Sequence, residues 1–302
     1  MLQARDAAKF LQLCQVNEGE IKGTVCPWEL NAGMEPREDF HDTLEALYIW
    51  SLPENLDKNM EYINRALGYL RFRFDKYKKS SEPIISYESA FILFSIGEYR
   101  KNTQDTSFDY MINFADNYLK NYFIKNPNHE LRDYSNAYWK AGMLRNYLST
   151  MEESFNIVDK WIIENFSLVN PSLEINNDGP GYMFHHDFMS TYGSKLYAIK
   201  DMINNIEIDN FLNTIPEGYT KRKYDEIVFN STVMIGLLSI FPFVTSNIQK
   251  KIVTSIKEIQ REIDSHVNQG GLTRGGNYFN IRESWPTFFY AYASKLLADL
   301  DL

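Results

Sequence analysis

The chain carries its densest titratable group near the amino terminus, in Glu38-Asp39-Phe40-His41-Asp42-Thr43-Leu44-Glu45-Ala46. An imidazole set among carboxylates is a general acid–base unit, because histidine titrates near ~6.5 and its neighbours tune it. Asp39, His41 and Asp42 are therefore candidate catalytic residues. A second use of the same residues is structural: Asp39 or Asp42 placed before an apolar run caps a helix by accepting from its free amides. Further along, His185-His186-Asp187 precedes Tyr192. Adjacent histidines point in different directions, so one can serve a site while the other serves the fold. His186 with Tyr192 could take up a proton, His185 could contact substrate, and histidine with Asp187 could bind a metal. An ordinary polar loop capped by Asp187 explains the same residues. The third group is Arg282-Glu283-Ser284-Trp285-Pro286. There Arg282 would hold an anionic group, Trp285 would stack on a ring, and Glu283 would face the same ligand. Tyr87, Glu88, Tyr134 and Asn136 occupy equivalent places in the intervening repeats and complete the candidate binding set.

The elements that must position these residues repeat along the chain. A polar or acidic turn leads into a helix of small and aromatic residues at Ala46, Ala90, Ala137, Gly193, Val233 and Thr287, with steps of 40 to 56 residues. Each step has room for two helices and two loops, so the sequence reads as about six helical hairpins. Expected helices are 4–15, about 39–52 ended by Pro53, 56–77, 86–99 with 106–123, 133–149 with 152–166, 189–204 with 207–214, 225–241 with 246–267, and 283–299. Asn170 to Phe188 is the longest polar loop and holds a Gly-Pro-Gly turn, and Gly270-Gly271 and Gly275-Gly276 frame another. No segment alternates with period two over a useful length, so little or no sheet is expected. If the hairpins close into a ring, all inner helices start at one mouth and the three groups of candidate residues share it.

Composition narrows the function classes. The chain has 302 residues, 44% of them hydrophobic, which is consistent with one domain over 1–302 and a continuous core. Net charge is −9 and the basic residues are scattered, which disfavours nucleic acid as a partner. Mean hydropathy is −0.39 and no apolar run approaches the length of a membrane span. The start has no basic segment followed by an apolar block, and with only Cys14 and Cys26 a cytoplasmic location with reduced thiols is the default. The glycine pairs lack the strand and the Gly-Lys-Ser/Thr ending of a phosphate loop. No cofactor is named by the sequence. Its 15% aromatic content fits either a large helical core or an aromatic-lined central cavity for a small molecule.

Two stretches carry a family resemblance. Ala8-Lys-Phe-Leu-Gln-Leu-Cys-Gln15 with Gly19, Gly23 and Thr43-Leu-Glu-Ala-Leu47, and Gln269-Gly-Gly-Leu-Thr-Arg-Gly-Gly276 with Glu283-Ser-Trp-Pro-Thr-Phe-Phe-Tyr-Ala-Tyr-Ala293, resemble the repeat of the prenyltransferase and squalene-cyclase group. The resemblance covers under a third of the chain. It implies an all-α fold, an α/α toroid of inner and outer helix rings, and an isoprenoid-like ligand. The Asp39–Ala46 segment is similar to the Asp-x-Asp-Asp-Thr-Ala signature of class II terpene cyclases, with His41 standing where the protonating acid belongs. The zinc set of protein prenyltransferases and the aspartate-rich diphosphate motif are missing. An alternative is a carbohydrate-active (α/α)6 barrel, a polysaccharide lyase or glycosidase, in which His185 or His186 with Tyr192 resembles a lyase acid–base pair. A ring used only for binding is the third reading. An apolar aromatic shaft would favour isoprenoid, a polar groove with tryptophan and carboxylates would favour sugar, and a plugged cavity would favour binding alone.

Overall fold

In the computed structural model the described residues are 2–79, 86–125, 134–151, 156–165, 193–200, 202, 226–273 and 281–302, and 74% of them are helical. The helices are α1 (Ala4–Cys14), α2 (Phe40–Ser51), α3 (Leu56–Lys79), α4 (Ser86–Thr103), α5 (Asp109–Lys125), α6 (Tyr134–Thr150), α7 (Asn156–Asn165), α8 (193–199), α9 (Glu226–Ile240), α10 (Ser246–Asp264) and α11 (Ser284–Asp299).

Two kinds of helix are distinguishable by their apolar pattern. In α10 the buried residues are Ile248, Ile252, Ile256, Ile259 and Ile263, one stripe at three- and four-residue spacing with a charged face opposite. Such a helix lies on the outside. In α2 every residue except His41 is buried, so this helix is surrounded on all sides. The surrounded helices α2, α4, α6, α8, α9 and α11 form the inner ring. Neighbours α2–α4, α4–α6, α9–α11 and α11–α2 pack side by side. Glycines set the remaining contacts. A β-carbon on Gly142 of α6 would strike the Tyr197 ring of α8, and one on Gly193 of α8 would strike the Thr232 carbonyl of α9. The ring is therefore closed, and the fold is the expected α/α toroid.

Outer helices α3, α5, α7 and α10 follow their inner partners in sequence. α11 is covered instead by α1, from the other end of the chain. The Trp50 indole of α2 donates to the Ala8 carbonyl of α1 at 3.0 Å and fastens this junction.

The ring's centre is filled. Tyr48 stacks on Phe94 with centroids 4.2 Å apart, Phe94 meets Tyr292 edge-on at 5.2 Å, and Phe91 meets Phe288 at 5.9 Å. Trp139 packs on Tyr197 at 4.9 Å and on Phe289 at 5.7 Å. At this level the rings of the described residues pack against one another.

A small antiparallel sheet, β1 (Val267–Asn268), β2 (Gly271–Thr273) and β3 (Arg282–Glu283), sits beside the start of α11. Its strands are two or three residues long, too short to show a period. The β1–β2 turn holds Gln269 and Gly270 at φ of 46° and 83°. Gly271 is needed because a β-carbon there would lie 2.7 Å from the Phe10 ring. Among the described residues no helix is long and apolar enough to cross a membrane.

Candidate functional site

The site is built where α2, α4 and α11 begin. Asp39 is the N-cap of α2: its Oδ1 accepts the amides of His41 and Asp42, each at 3.1 Å. Its own amide donates to Thr24 Oγ1 at 3.0 Å, and its carbonyl accepts Thr43 Oγ1 at 2.5 Å. Caps of this type contribute about 0.5–2 kcal/mol to stability. The loop before α2 is thereby fixed to the helix it starts.

Asp42 is 4% exposed, and Ser284 of α11 donates its hydroxyl to Asp42 Oδ2 at 2.5 Å. Burial first, then the Asp39 and Glu45 charges, push the Asp42 carboxyl well above its ordinary range. One turn on, Glu45 is fully buried, and its pKa is raised well above normal by burial and then by Asp39. His41 Nε2 lies 3.0 Å from Glu45 Oε1, and the imidazole packs edge-on against Phe91 at 4.2 Å. Burial lowers the His41 pKa, against the opposing pull of Asp42, Asp39 and Glu88. These directions agree. Each shift favours the neutral form of its group, because none of the three is well solvated. At 22% side-chain exposure His41 is the member that reaches solvent. The expectation that Asp42 lines an open mouth is corrected, since it lies beneath the surface.

Other candidates fall in different places. Trp285 is half-buried, one residue past Ser284, with its ring 6.3 Å from Phe289. Arg282 is not available to an anionic ligand. Its Nε donates to Glu29 Oε1 at 2.9 Å and its Nη2 to Glu29 Oε2, while Nη1 reaches the carbonyls of Asn268 and Gln269 at 3.4 and 3.3 Å. The role expected for it is corrected accordingly: it clamps the sheet to the 26–39 loop. Glu283 is 6% exposed and lies in β3, where its backbone bridges Trp28 and Leu272. Glu88 is half-buried in the first turn of α4, close enough for its charge to act on His41. Tyr87, Tyr134 and Asn136 lie in the first turns of α4 and α6, with side chains outside the described set, and His185, His186 and Tyr192 lie outside the described residues.

With this arrangement in place, the whole chain can be compared with known proteins. The chain has the fold of α/α toroid glycosidases. It is similar to the GH76A α-1,6-mannanase from Salegentibacter sp. HEL1_6, with a TM-score of 0.63 and 10% identity over 98% of both chains. It is similar to the same degree, at a TM-score of 0.64, to an inactive variant of that enzyme with two consecutive aspartates replaced by asparagine, solved with α-1,6-mannotriose. No protein-family profile matches the sequence, and no curated protein matches it either.

Sequence reasoning missed Glu45, Ser284 and the Trp28–Glu29 loop. A signal existed for Glu45, which stands three residues after Asp42 and four after His41 and so shares their helix face. Nothing local tied Ser284 to Asp42, 242 residues away. Among the described residues no group of three or more histidine, cysteine or acidic side chains is arranged to hold a metal ion.

Proposed function

We propose that the protein is a carbohydrate-active toroid that takes an oligosaccharide across the mouth formed by the inner-helix starts. The observation that carries this reading is the division of the ring into a polar mouth above an aromatic plug. The mouth holds His41, Glu88 and the half-buried Trp285, with the Asp42–Glu45 pair buried beneath them. A hydroxylated ligand can hydrogen-bond there and stack on tryptophan. An isoprenoid chain needs an apolar shaft, and Tyr48, Phe94, Phe288 and Tyr292 occupy that space. The whole-length likeness to α-1,6-mannanases supports the same choice.

For bond cleavage, a glycosidase needs a proton donor and a second carboxylate. In our reading the Asp42–Glu45 pair, whose burial favours the protonated form, is the donor side together with His41. The pair of consecutive aspartates inactivated in the mannanase has no counterpart in sequence, since no Asp-Asp occurs anywhere in this chain. That absence favours a second reading, in which the toroid binds oligosaccharide without cleaving it. We take residues 1–302 as one domain because the closed ring joins the first helix to the last. We place the protein in a reducing, cytoplasmic setting because Cys14 and Cys26 are both unpaired and buried.

Titration with α-1,6-mannotriose, followed by tryptophan fluorescence and by chromatography of products, tests the proposal. Saturable quenching is expected, weakened at least tenfold in Trp285→Ala and His41→Ala proteins that melt like the parent. Binding with no released sugar selects the second reading. Absence of binding to mannotriose and to a panel of other oligosaccharides, with tight binding of a prenyl alcohol instead, overturns both.

A further inference from the structure

The chain has two cysteines, Cys14 and Cys26, and the fold places them opposite each other. Gln15 and Val25 form an isolated antiparallel bridge. The hydrogen bonds that flank it run from the Cys26 amide to the Cys14 carbonyl and from the Val16 amide to the Thr24 carbonyl, each at 2.9 Å. Cys14 and Cys26 are therefore the next opposed pair in that register. Directly opposed antiparallel residues have Cα atoms about 4.5–5.5 Å apart, and a disulfide spans Cα separations of about 4.4–6.8 Å. Cys14 Sγ donates to the Phe10 carbonyl at 3.6 Å, a weak bond that a disulfide would forfeit at little cost.

The pair sits at the junction that closes the ring. Cys14 is the last residue of α1, the helix that covers α11. Cys26 follows a segment pinned to the start of α2: Val25 donates its amide to Thr43 Oγ1 at 2.9 Å, and Thr24 Oγ1 accepts the Asp39 amide at 3.0 Å. A bond between the two sulfurs would thus join α1 covalently to the segment that caps α2. Both thiols are buried, and burial raises the pKa of each. A buried thiol of raised pKa is inert to a soluble oxidant while α1 is docked. Oxidation therefore requires α1 to lift from the ring, and the bond, once made, opposes the next lifting.

We propose that Cys14 and Cys26 are a redox pair that closes into a disulfide and locks α1 onto the ring when a small-molecule disulfide is present as oxidant. One thiolate attacks the external disulfide, forms a mixed disulfide and releases the first external thiol. The second thiolate attacks the protein sulfur of that mixed disulfide, forms the Cys14–Cys26 bond and releases the second external thiol. The protein gives up two protons and two electrons, and the external disulfide takes them. In a reducing setting the pair rests as two thiols. The lock is independent of what the mouth binds.

Incubating the full chain with oxidised glutathione, in urea below the unfolding midpoint, tests the pair, with intact mass and thermal melting as readouts. The expected product has lost two hydrogens and carries no glutathione. It should melt about 5 °C above the reduced protein, because closing the loop over residues 15–25 restricts the unfolded chain, and dithiothreitol should reverse the gain. Trp50→Phe removes the indole bond to Ala8 that holds α1, and should speed closure about fivefold. In Cys26→Ala, Cys14 should take up glutathione with no rise in melting temperature. Glutathione adducts in the parent without an intramolecular bond, thiols that stay free, an unchanged rate in Trp50→Phe, or an oxidised protein that melts below the reduced one would each overturn the assignment.

Discussion

Asp42, Glu45 and His41 link the site to stability through pH. A carboxyl whose folded pKa is raised gives up its proton more readily when unfolded. Its contribution to stability is therefore complete below the unfolded value, about 4.3 for glutamate, and is lost as pH rises through the folded value. His41 has the opposite sign. With its folded pKa lowered, its contribution is complete above about 6.5 and is lost as pH falls through the folded value. Glu45→Gln removes one carboxyl and keeps the shape. The variant is expected to gain stability over the parent as pH rises from 5 to 9, by about 1–3 kcal/mol at the upper end, and to lose that advantage near pH 4. Urea unfolding of both proteins across this range is the check, and a pH-independent difference would show that Glu45 ionises normally. The capping role of Asp39 was open to reading from sequence beside the catalytic one, since an acidic residue before an apolar run can accept from free helix amides. The burial of Asp42 was not, because the residue that covers it, Ser284, belongs to another repeat.

At the scale of the helix, close approach of inner neighbours depends on missing side chains. Gly193 and Gly236 face each other where α8 meets α9: a β-carbon on Gly236 would lie 2.5 Å from the Gly193 carbonyl and 2.9 Å from the Leu196 β-carbon. The first obstacle is backbone and the second is a β-carbon that no rotamer can move, so the helices must part to admit even a methyl group. Gly236→Ala is expected to destabilise by about 1–3 kcal/mol despite alanine's better helix propensity, visible as a lower melting temperature with unchanged spectral helix content. A raised melting temperature would mean that the two helices separate freely. Among the described residues, helix existence and order were legible because outer helices carry stripes such as Ile248-Ile252-Ile256 and inner ones start at recurrent polar turns, while the helix expected at 207–214 lies outside the described residues. The β1–β3 sheet was hidden: strands of two or three residues have no periodicity, and their pairing depends on Gly271 lying against Phe10 of α1.

Across the whole molecule, closure depends on α1. It buries Ala7, Ala8, Phe10, Leu11 and Cys14 against the ring. At about 1.5–3 kcal/mol for each large apolar side chain, and with native stabilities of about 5–15 kcal/mol, this face is a sizeable share of the total. Deleting residues 1–15 is expected to abolish the cooperative thermal transition and to expose apolar surface that binds a hydrophobic dye. A truncated protein that melts sharply at the parent's temperature would show that the ring closes without α1. This junction could not be read from the hairpin rhythm, which pairs each inner helix with the outer helix that follows it.

The sixth hairpin is divided between the two ends of the chain, and that has a bearing on how the protein is made. On the ribosome α1 emerges well before its partner α11. At about 5–20 residues per second, roughly 15–50 s separate them. Throughout that time the nascent chain can assemble only an open crescent, with the apolar flank of its first helix uncovered. Most of the hairpins can form in order as they appear, but the ring can lock only after synthesis has passed α11. The newly made toroid is thus most vulnerable to aggregation, and most in need of chaperone shelter, just before α11 is released.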